Sequence, residues 1–277
     1  MLKPMQARPP AVAGFFYPSD PEALQRSVRE YLEAAGMPLG ENRHASAPDA
    51  GSRPPKAVIV PHAGYAYSGP VAARVYARLR ALRGRVRCVL LLGPAHRVYV
   101  RGLAAPSSER FATPLGGLPV DPEALRAVSD LPQVQVSDEA HALEHSLEVQ
   151  LPFVEEVLGQ VAIVPFAVGV ATDDEVAEVL ERLWGGDETL IVVSSDLSHY
   201  LPYETARRVD ARTARAIEQL DAEGLDEDSA CGRIPIRGLL VAARRHGLAP
   251  RIVDLRSSGD TAGPRSEVVG YGGWLFA

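Results

Sequence analysis

The stretch Cys88-Val89-Leu90-Leu91-Leu92-Gly93-Pro94-Ala95-His96 decides how the rest of this chain is read. An apolar run rich in Val and Leu, too short for a buried helix and closed by Gly and Pro, reads as a strand of a sheet covered on both faces. Two further runs share the design. Ala57-Val58-Ile59-Val60-Pro61 leads into His62, and Leu190-Ile191-Val192-Val193-Ser194-Ser195-Asp196-Leu197-Ser198 leads into His199. In such sheets the ligand cleft lies outside the carboxyl ends of the strands. Histidines delivered to that edge from distant parts of the chain, with Cys231 far downstream, predict one site assembled by folding.

Outward from these runs, strand and helix patterns alternate. Ser19-Asp20-Pro21-Glu22 is a helix start: a capping residue, Pro at the first helical position and an acid in the first turn. Val71–Leu82 reads as a helix after Pro70. The stretch around Arg110–Asp121 reads as a hairpin or loop, and Pro122–Asp130 as a short helix. Ala142–Leu158 looks helical, with Pro152 kinking or dividing it. Val161–Gly169 is a strand, Asp173–Leu183 a helix, Tyr203–Leu220 a long amphipathic helix and Pro235–Gly247 another. Arg251–Leu255 and Val268–Phe276 close the sheet. The expectation is an α/β protein with a central, largely parallel mixed sheet flanked by helices. No repeat or composition shift marks a second unit, so residues 1–277 are expected to form a single domain. Residues 36–55, rich in Gly, Pro and charge, are expected to be a loop with a solvated His44.

At 277 residues the chain is long enough to bury a substantial core, and a net charge of -6 argues against general nucleic-acid binding. The local run Arg78, Arg80, Arg83, Arg85 and Arg87 suits a helix end and its solvated turn. The N-terminus lacks the apolar core of a signal peptide, and no stretch of about 18 apolar residues is available to span a bilayer. Two cysteines cannot build a disulfide framework, so a reducing cytoplasm is the expected location. Cys88 opens a strand and reads as a small buried hydrophobe.

Each candidate residue has a bland reading beside its chemical one. His62 and His96 either end their strands with a hydrogen bond or ligate a metal, and two at equivalent positions strengthen each other. Asp196 either caps a turn or orients His199, which then serves as an acid/base group. Glu144 and Glu148 share a face if their segment is helical. His141 and His145 stand four apart, a chelating distance on a helix, but no strand places them and the His-Glu-x-x-His zinc-protease signature is absent. Cys231 precedes an amphipathic helix, where a thiol pKa is lowered and the sulfur serves as nucleophile or ligand. Two imidazoles and a thiolate suit a mononuclear iron, copper or zinc ion rather than magnesium or calcium. Ser194 and Ser195 beside Asp196 and His199 read as turn residues rather than a triad, and no dinucleotide or Walker glycine motif is present.

Taken together, the blocks RPPAVAGFFYPSDP, VPHAGYAYSGPVAARVY, LLGPAHR, Phe111-Ala112-Thr113-Pro114-Leu115, EHSLEVQLPF, VVSSDLSHY and CGRIPI resemble, in order and over almost the whole chain, the MEMO family. Its prokaryotic members are called AmmeMemoRadiSam system protein B. The resemblance implies a fold similar to class III extradiol dioxygenases. It implies a metal held by His62, His96 and Cys231, with Asp196 and His199 lining the cleft and Glu144 and His145 nearby. Cysteine in place of the dioxygenases' carboxylate changes the redox character of the site, so ring cleavage does not follow from fold. Three functions stand in order. The first is an iron(II)-dependent, oxygen-linked enzyme acting on a small-molecule or peptide ligand. The second is an adaptor that retains a metal cleft and works with radical SAM and AMMECR-type proteins. The third is a zinc hydrolase.

Overall fold

Among the residues that the computed structural model describes, 7–36 and 54–277, every apolar run singled out above is a strand. His44 and nearly all of the expected loop lie outside the described residues. The strands are β1 (Ala7–Arg8), β2 (Ala57–Val60), β3 (Cys88–Pro94), β4 (Leu103–Ala105), β5 (Arg110–Phe111), β6 (Leu118–Pro119), β7 (Val134–Val136), β8 (Ala162–Val168), β9 (Thr189–Ser194), β10 (His199–Leu201), β11 (Pro250–Ser257) and β12 (Val268–Phe276). The helices are α1 (Pro21–Ala34), α2 (Tyr65–Ala77), α3 (Pro122–Ala127), α4 (Asp138–Ala142), α5 (Leu151–Leu158), α6 (Asp173–Arg182), α7 (Tyr203–Glu218) and α8 (Arg233–His246).

Nine strands form one mixed sheet whose centre, β2-β9-β3-β8, is parallel. Antiparallel neighbours finish both sides: β12 pairs with β2, β10 and β11 pair with β12, and β4 pairs with β8 and carries β7 beyond it in parallel. A small sheet, β1-β5-β6, lies apart and includes the expected hairpin.

The central strands are apolar without a break because each feeds two cores. On β3, Val89 and Leu91 point to one side, Leu90 and Leu92 to the other. Val58 and Val60 of β2 and Leu190 and Val192 of β9 join the first core; Ile59, Ile191 and Val193 join the second. Period-two alternation therefore sorts apolar side chains between layers, not between core and water. Helices α1, α2 and α5 cover the first face, and α6, α7 and α8 the second. The crossover from β2 to β3 runs past β9, and that from β8 to β9 runs past β3 in the opposite direction. Right-handed connections put their helices on opposite faces. The strand ends of β2, β9 and β3 thus meet where the winding reverses, the usual place for a ligand site.

Two local expectations need correction. Helix α2 starts at Tyr65, before Pro70, which is tolerated early in the helix because only one internal hydrogen bond is lost. The segment read as helical from Ala142, kinked or divided at Pro152, breaks earlier: it is the end of α4, an irregular link, a short 3-10 turn at Glu148–Gln150 and then α5, with Pro152 in its first turn. Among the described residues no helix is long and apolar enough to cross a membrane.

Candidate metal centre

His62, His96 and Asp196 each sit two residues past the end of β2, β3 and β9, and β9 lies between the other two strands. The fold therefore delivers the first two expected ligands to one edge. The third ring there is His145, from the link between α4 and α5. One ligand atom from each of His62, His96 and His145 lies within 4.8 Å of the others. Ring centroids are 5.3 Å apart for His62 and His96, 5.4 Å for His62 and His145, and 4.8 Å for His96 and His145. His62 is buried, His145 half-buried and His96 exposed, so the group opens toward water on the His96 side.

Hydrogen bonding fixes the tautomers of two of these rings. The Ser194 hydroxyl has one proton, donated to the Ser146 carbonyl at 2.6 Å. It must then accept from His62 Nδ1 at 2.9 Å and from Gln150 Nε2 at 2.8 Å. His62 Nε2 is left unprotonated, its lone pair available as an acceptor or ligand. His96 Nδ1 donates to Glu144 Oε1 at 3.0 Å, which likewise leaves its Nε2 free. This carboxylate–histidine pairing is the usual support of a ligating imidazole. The ring of His145 has no such support. Its buried Nδ1 makes no hydrogen bond, although Glu144 Oε1 is 3.4 Å away. An orphaned buried nitrogen beside two unprotonated imidazole nitrogens fits a cation, and nitrogen donors suit iron, copper or zinc.

Cys231 completes the surroundings of His62, with Sγ 3.4 Å from His62 Nε2. It is held by its N–H on the Asp196 carbonyl at 3.2 Å. Gly232 must be glycine for this approach, since a Cβ there would lie 2.6 Å from Ser195 Cβ. The expected lowering of the thiol pKa by a helix N-terminus does not occur. Burial, then the Asp196 charge, pushes the thiol up to about 12, and α8 starts only at Arg233. In the free protein Cys231 is a neutral thiol next to an imidazole acceptor.

Two carboxyls flank the group and behave oppositely. Burial alone would raise Glu144, but the hydrogen bond and charge of His96 and the N–H groups of Ser146 and His96 overcome it and hold the carboxyl at about 2. Its oxygens accept from the N–H groups of His96 (2.6 Å), His145 (2.8 Å) and Ser146 (2.8 Å). Burial raises Asp196 to about 7, although the His62 N–H donates to Oδ1 at 2.7 Å. Desolvation, then the neighbouring charges of His145 and His96, holds His62 well below the usual histidine range, and burial brings His145 to about 4. Both rings are thus unprotonated near neutrality.

His199 does not join the three rings. It opens β10, is exposed, and packs its ring at 5.8 Å from that of Tyr200. Burial lowers its pKa, a backbone hydrogen bond opposes this, and the charge of His96 adds to the lowering. His141 is not a partner of His145: its Nε2 bonds the Ala104 carbonyl at 2.8 Å and its ring meets Phe111.

Sequence reasoning placed His145 beside the site but not among its rings. A signal for its segment was present. Glu144, Ser146, Glu148 and Gln150 repeat every second residue, a period no amphipathic helix uses, and all four are buried. Each ties down a different piece of chain. Glu144 holds His96, and Ser146 Oγ donates to the Pro94 carbonyl at 2.9 Å. Glu148 receives the N–H groups of Ala11 and Val12, and Gln150 Nε2 donates to the Pro61 carbonyl at 2.9 Å. Gly93 leaves room for this link, because a Cβ there would lie 2.7 Å from Ser146 Oγ.

A family model described as Memo-like protein matches residues 8–275. This chain belongs to the Memo family. Memo-like relatives align end to end with it. A MEMO1 family protein from Aeropyrum pernix is 39% identical, over 96% of this chain and 98% of its own length. One from Aquifex aeolicus is 36% identical, over 98% and 100%. One from Metallosphaera sedula is 34% identical, over 95% and 97%. Among solved structures, an uncharacterized protein from Escherichia coli K12, JW3007, matches with a TM-score of 0.56 at 15% identity, covering 81% of this chain and 100% of that one. At that identity the likeness is one of fold.

Proposed function

We propose that this Memo-like protein binds one redox-active metal ion, iron(II) before copper or zinc, and uses it in the oxygen-linked oxidation of a small molecule. The observation that carries this reading is the meeting of three imidazole donors within 4.8 Å, with the Cys231 sulfur beside His62. Such a nitrogen and sulfur set disfavours magnesium and calcium, and three histidines leave coordination positions for exogenous ligands. When bound, the ion supplies Lewis acidity and an electron-transfer partner at those positions. The chain supplies the rest. Glu144 and Ser194 hold two rings in the ligating tautomer, the Asp196 carboxyl holds a proton near neutrality, and His199 exchanges protons at the rim. Cys231 is either a fourth donor, at the cost of its proton, or a thiol held against the site.

Anaerobic reconstitution with Fe(II), followed by metal analysis and oxygen-uptake measurements, tests the proposal. One iron per chain and oxygen consumption, both lost in His62→Ala and His96→Ala, are expected. Stoichiometric zinc in protein purified without added metal, with no oxygen uptake after iron loading, would favour the hydrolase reading instead.

A second reading is that of an adaptor, motivated by exposed aromatic residues: Phe15 (88% accessible) and Tyr99 (79%) on loops and Tyr200 (71%) on the short strand β10. Large exposed apolar groups commonly mark contact surfaces. Radical SAM and AMMECR-type proteins are the expected partners. Their specific capture by a metal-free His62→Ala, His96→Ala double variant would favour a scaffold over a catalyst.

A further inference from the structure

Arg8 lies outside the metal centre, yet its guanidinium holds both ends of the link that carries Glu144 and His145. Nε donates to the His141 carbonyl at 2.9 Å, Nη2 to the Glu144 carbonyl, and Nη1 to the Glu148 carboxylate. The residue is buried, its guanidinium lies over the Phe111 ring at 5.1 Å, and β1 fixes its backbone by pairing Arg8 with Phe111. Glu148, fully buried, gathers the same N-terminal segment through the N–H groups of Ala11 (2.7 Å) and Val12 (3.0 Å) and the Tyr17 hydroxyl (2.5 Å). Phe16, from this segment, sets its ring 4.8 Å from that of His145. Between α4 and the 3-10 turn the link has no regular backbone ladder of its own. The Glu144 carbonyl therefore takes its donor from Arg8, which also reinforces the His141 carbonyl beyond its local Glu144 N–H at 3.3 Å, and a planar fork fixes the relative placement of its acceptors where the freely rotating ammonium of a lysine does not.

We propose that Arg8 is a positioning residue for the metal centre: through the 141–148 link it sets His145 directly and His96 through Glu144. The inference rests on the metal-site reading above. It predicts a loss of metal affinity that is separable from loss of stability. Removing one partner of a buried ion pair leaves the other charge stranded, whereas replacing both by apolar groups of similar volume is often neutral or stabilising. The double variant Arg8→Met, Glu148→Met avoids a stranded charge while releasing the two carbonyls and the N-terminal segment, and circular dichroism establishes that it is folded before its affinity is read. Arg8→Lys keeps the charge and loses the fork.

Affinity for Zn(II) and Co(II), measured by competition with a chromophoric chelator on the full chain, should fall about 10- to 100-fold in both variants. The Co(II) ligand-field spectrum should change with it, while the surface variant Arg29→Met behaves as the parent. Linkage supplies a check that needs no mutation. If Arg8 contacts strengthen metal binding by some factor, metal strengthens those contacts by the same factor, so Zn(II) must slow amide exchange in residues 8–17 and 141–148 of the parent. Parent-like affinity and spectrum in a folded variant, or unchanged exchange in residues 8–17 on Zn(II) loading, overturn the role of Arg8. A folded parent that binds neither metal overturns the metal-site reading itself.

Discussion

Asp210 gives the sharpest test of the physical reasoning, because it predicts that an isosteric substitution makes the protein more stable. The residue lies on α7, is 3% accessible, and has one clear hydrogen bond, Oδ1 accepting from the Ser198 N–H at 3.1 Å. Burial raises its carboxyl from 3.8 to about 6, partly opposed by Ser198. Below pH 3.8 the group is protonated in both the folded and the unfolded chain and costs nothing. Between 3.8 and about 6 the folded state binds the proton more tightly, so stability falls as pH rises. Above pH 6 the folded chain carries a buried charge worth roughly 3 kcal/mol of destabilisation, from a gap of about two pKa units at 1.36 kcal/mol each. Asp210→Asn removes that charge, retains Oδ1 for the Ser198 N–H, and keeps a polar group beside the Ser198 hydroxyl. Urea unfolding of chelator-treated protein at pH 8 should give the Asn variant a gain of about 1–3 kcal/mol at unchanged m-value, the lower figure allowing for desolvation of the amide. At pH 4 the gain should vanish. A variant less stable than the parent at pH 8, or a difference that does not change with pH, would refute the assignment of a desolvated, uncompensated carboxylate.

In metal-free protein at pH 7, Cys231 should be alkylated by iodoacetamide at least tenfold more slowly than a free peptide thiol, because burial and Asp196 hold it neutral; mass spectrometry of the labelled peptide measures this. Glu144→Gln should weaken metal binding by about 10- to 100-fold, read by chelator competition, since an amide cannot accept four N–H groups or fix the His96 tautomer. Gly93→Ala should push the 141–148 link off the end of β3 and reduce both Zn(II) affinity and melting temperature, with a stability loss of about 1–3 kcal/mol by calorimetry.

Much of the fold was readable because the deciding signals are local. Runs such as Leu90–Leu92 have no polar face, so only a sheet covered twice accommodates them, and Asp20 with Pro21 starts α1 as its composition demands. His62 and His96 were legible for the same reason: a polar residue just past a buried strand has few places to go. His199 follows the same rule in sequence but not in space, because the chain turns away after Asp196 to pair β10 with β12. The membership of His145 was hidden by a segment whose apolar residues mimic a helix, while its buried polar residues answer to partners far off in the chain. Glu148 illustrates why no local reading suffices: it sits in a 3-10 turn, and its charge is matched by Arg8, 140 residues earlier in the sequence. The behaviour of the Cys231 thiol was misjudged because its surroundings, Ser195, Asp196 and His62, come from distant segments and not from the helix that follows it.

The position of β9 between β2 and β3 bears on how the centre comes into being. The strand that supplies Ser194, and with it the proton arrangement on His62, is synthesised long after both of its neighbours and has to be inserted between them. Until β9 is in place His62 lacks the Ser194 acceptor that fixes its tautomer, so the fully supported donor set belongs to the completed sheet. Occupancy would then act as a certificate of maturity, issued most readily to molecules whose middle strand is already in place.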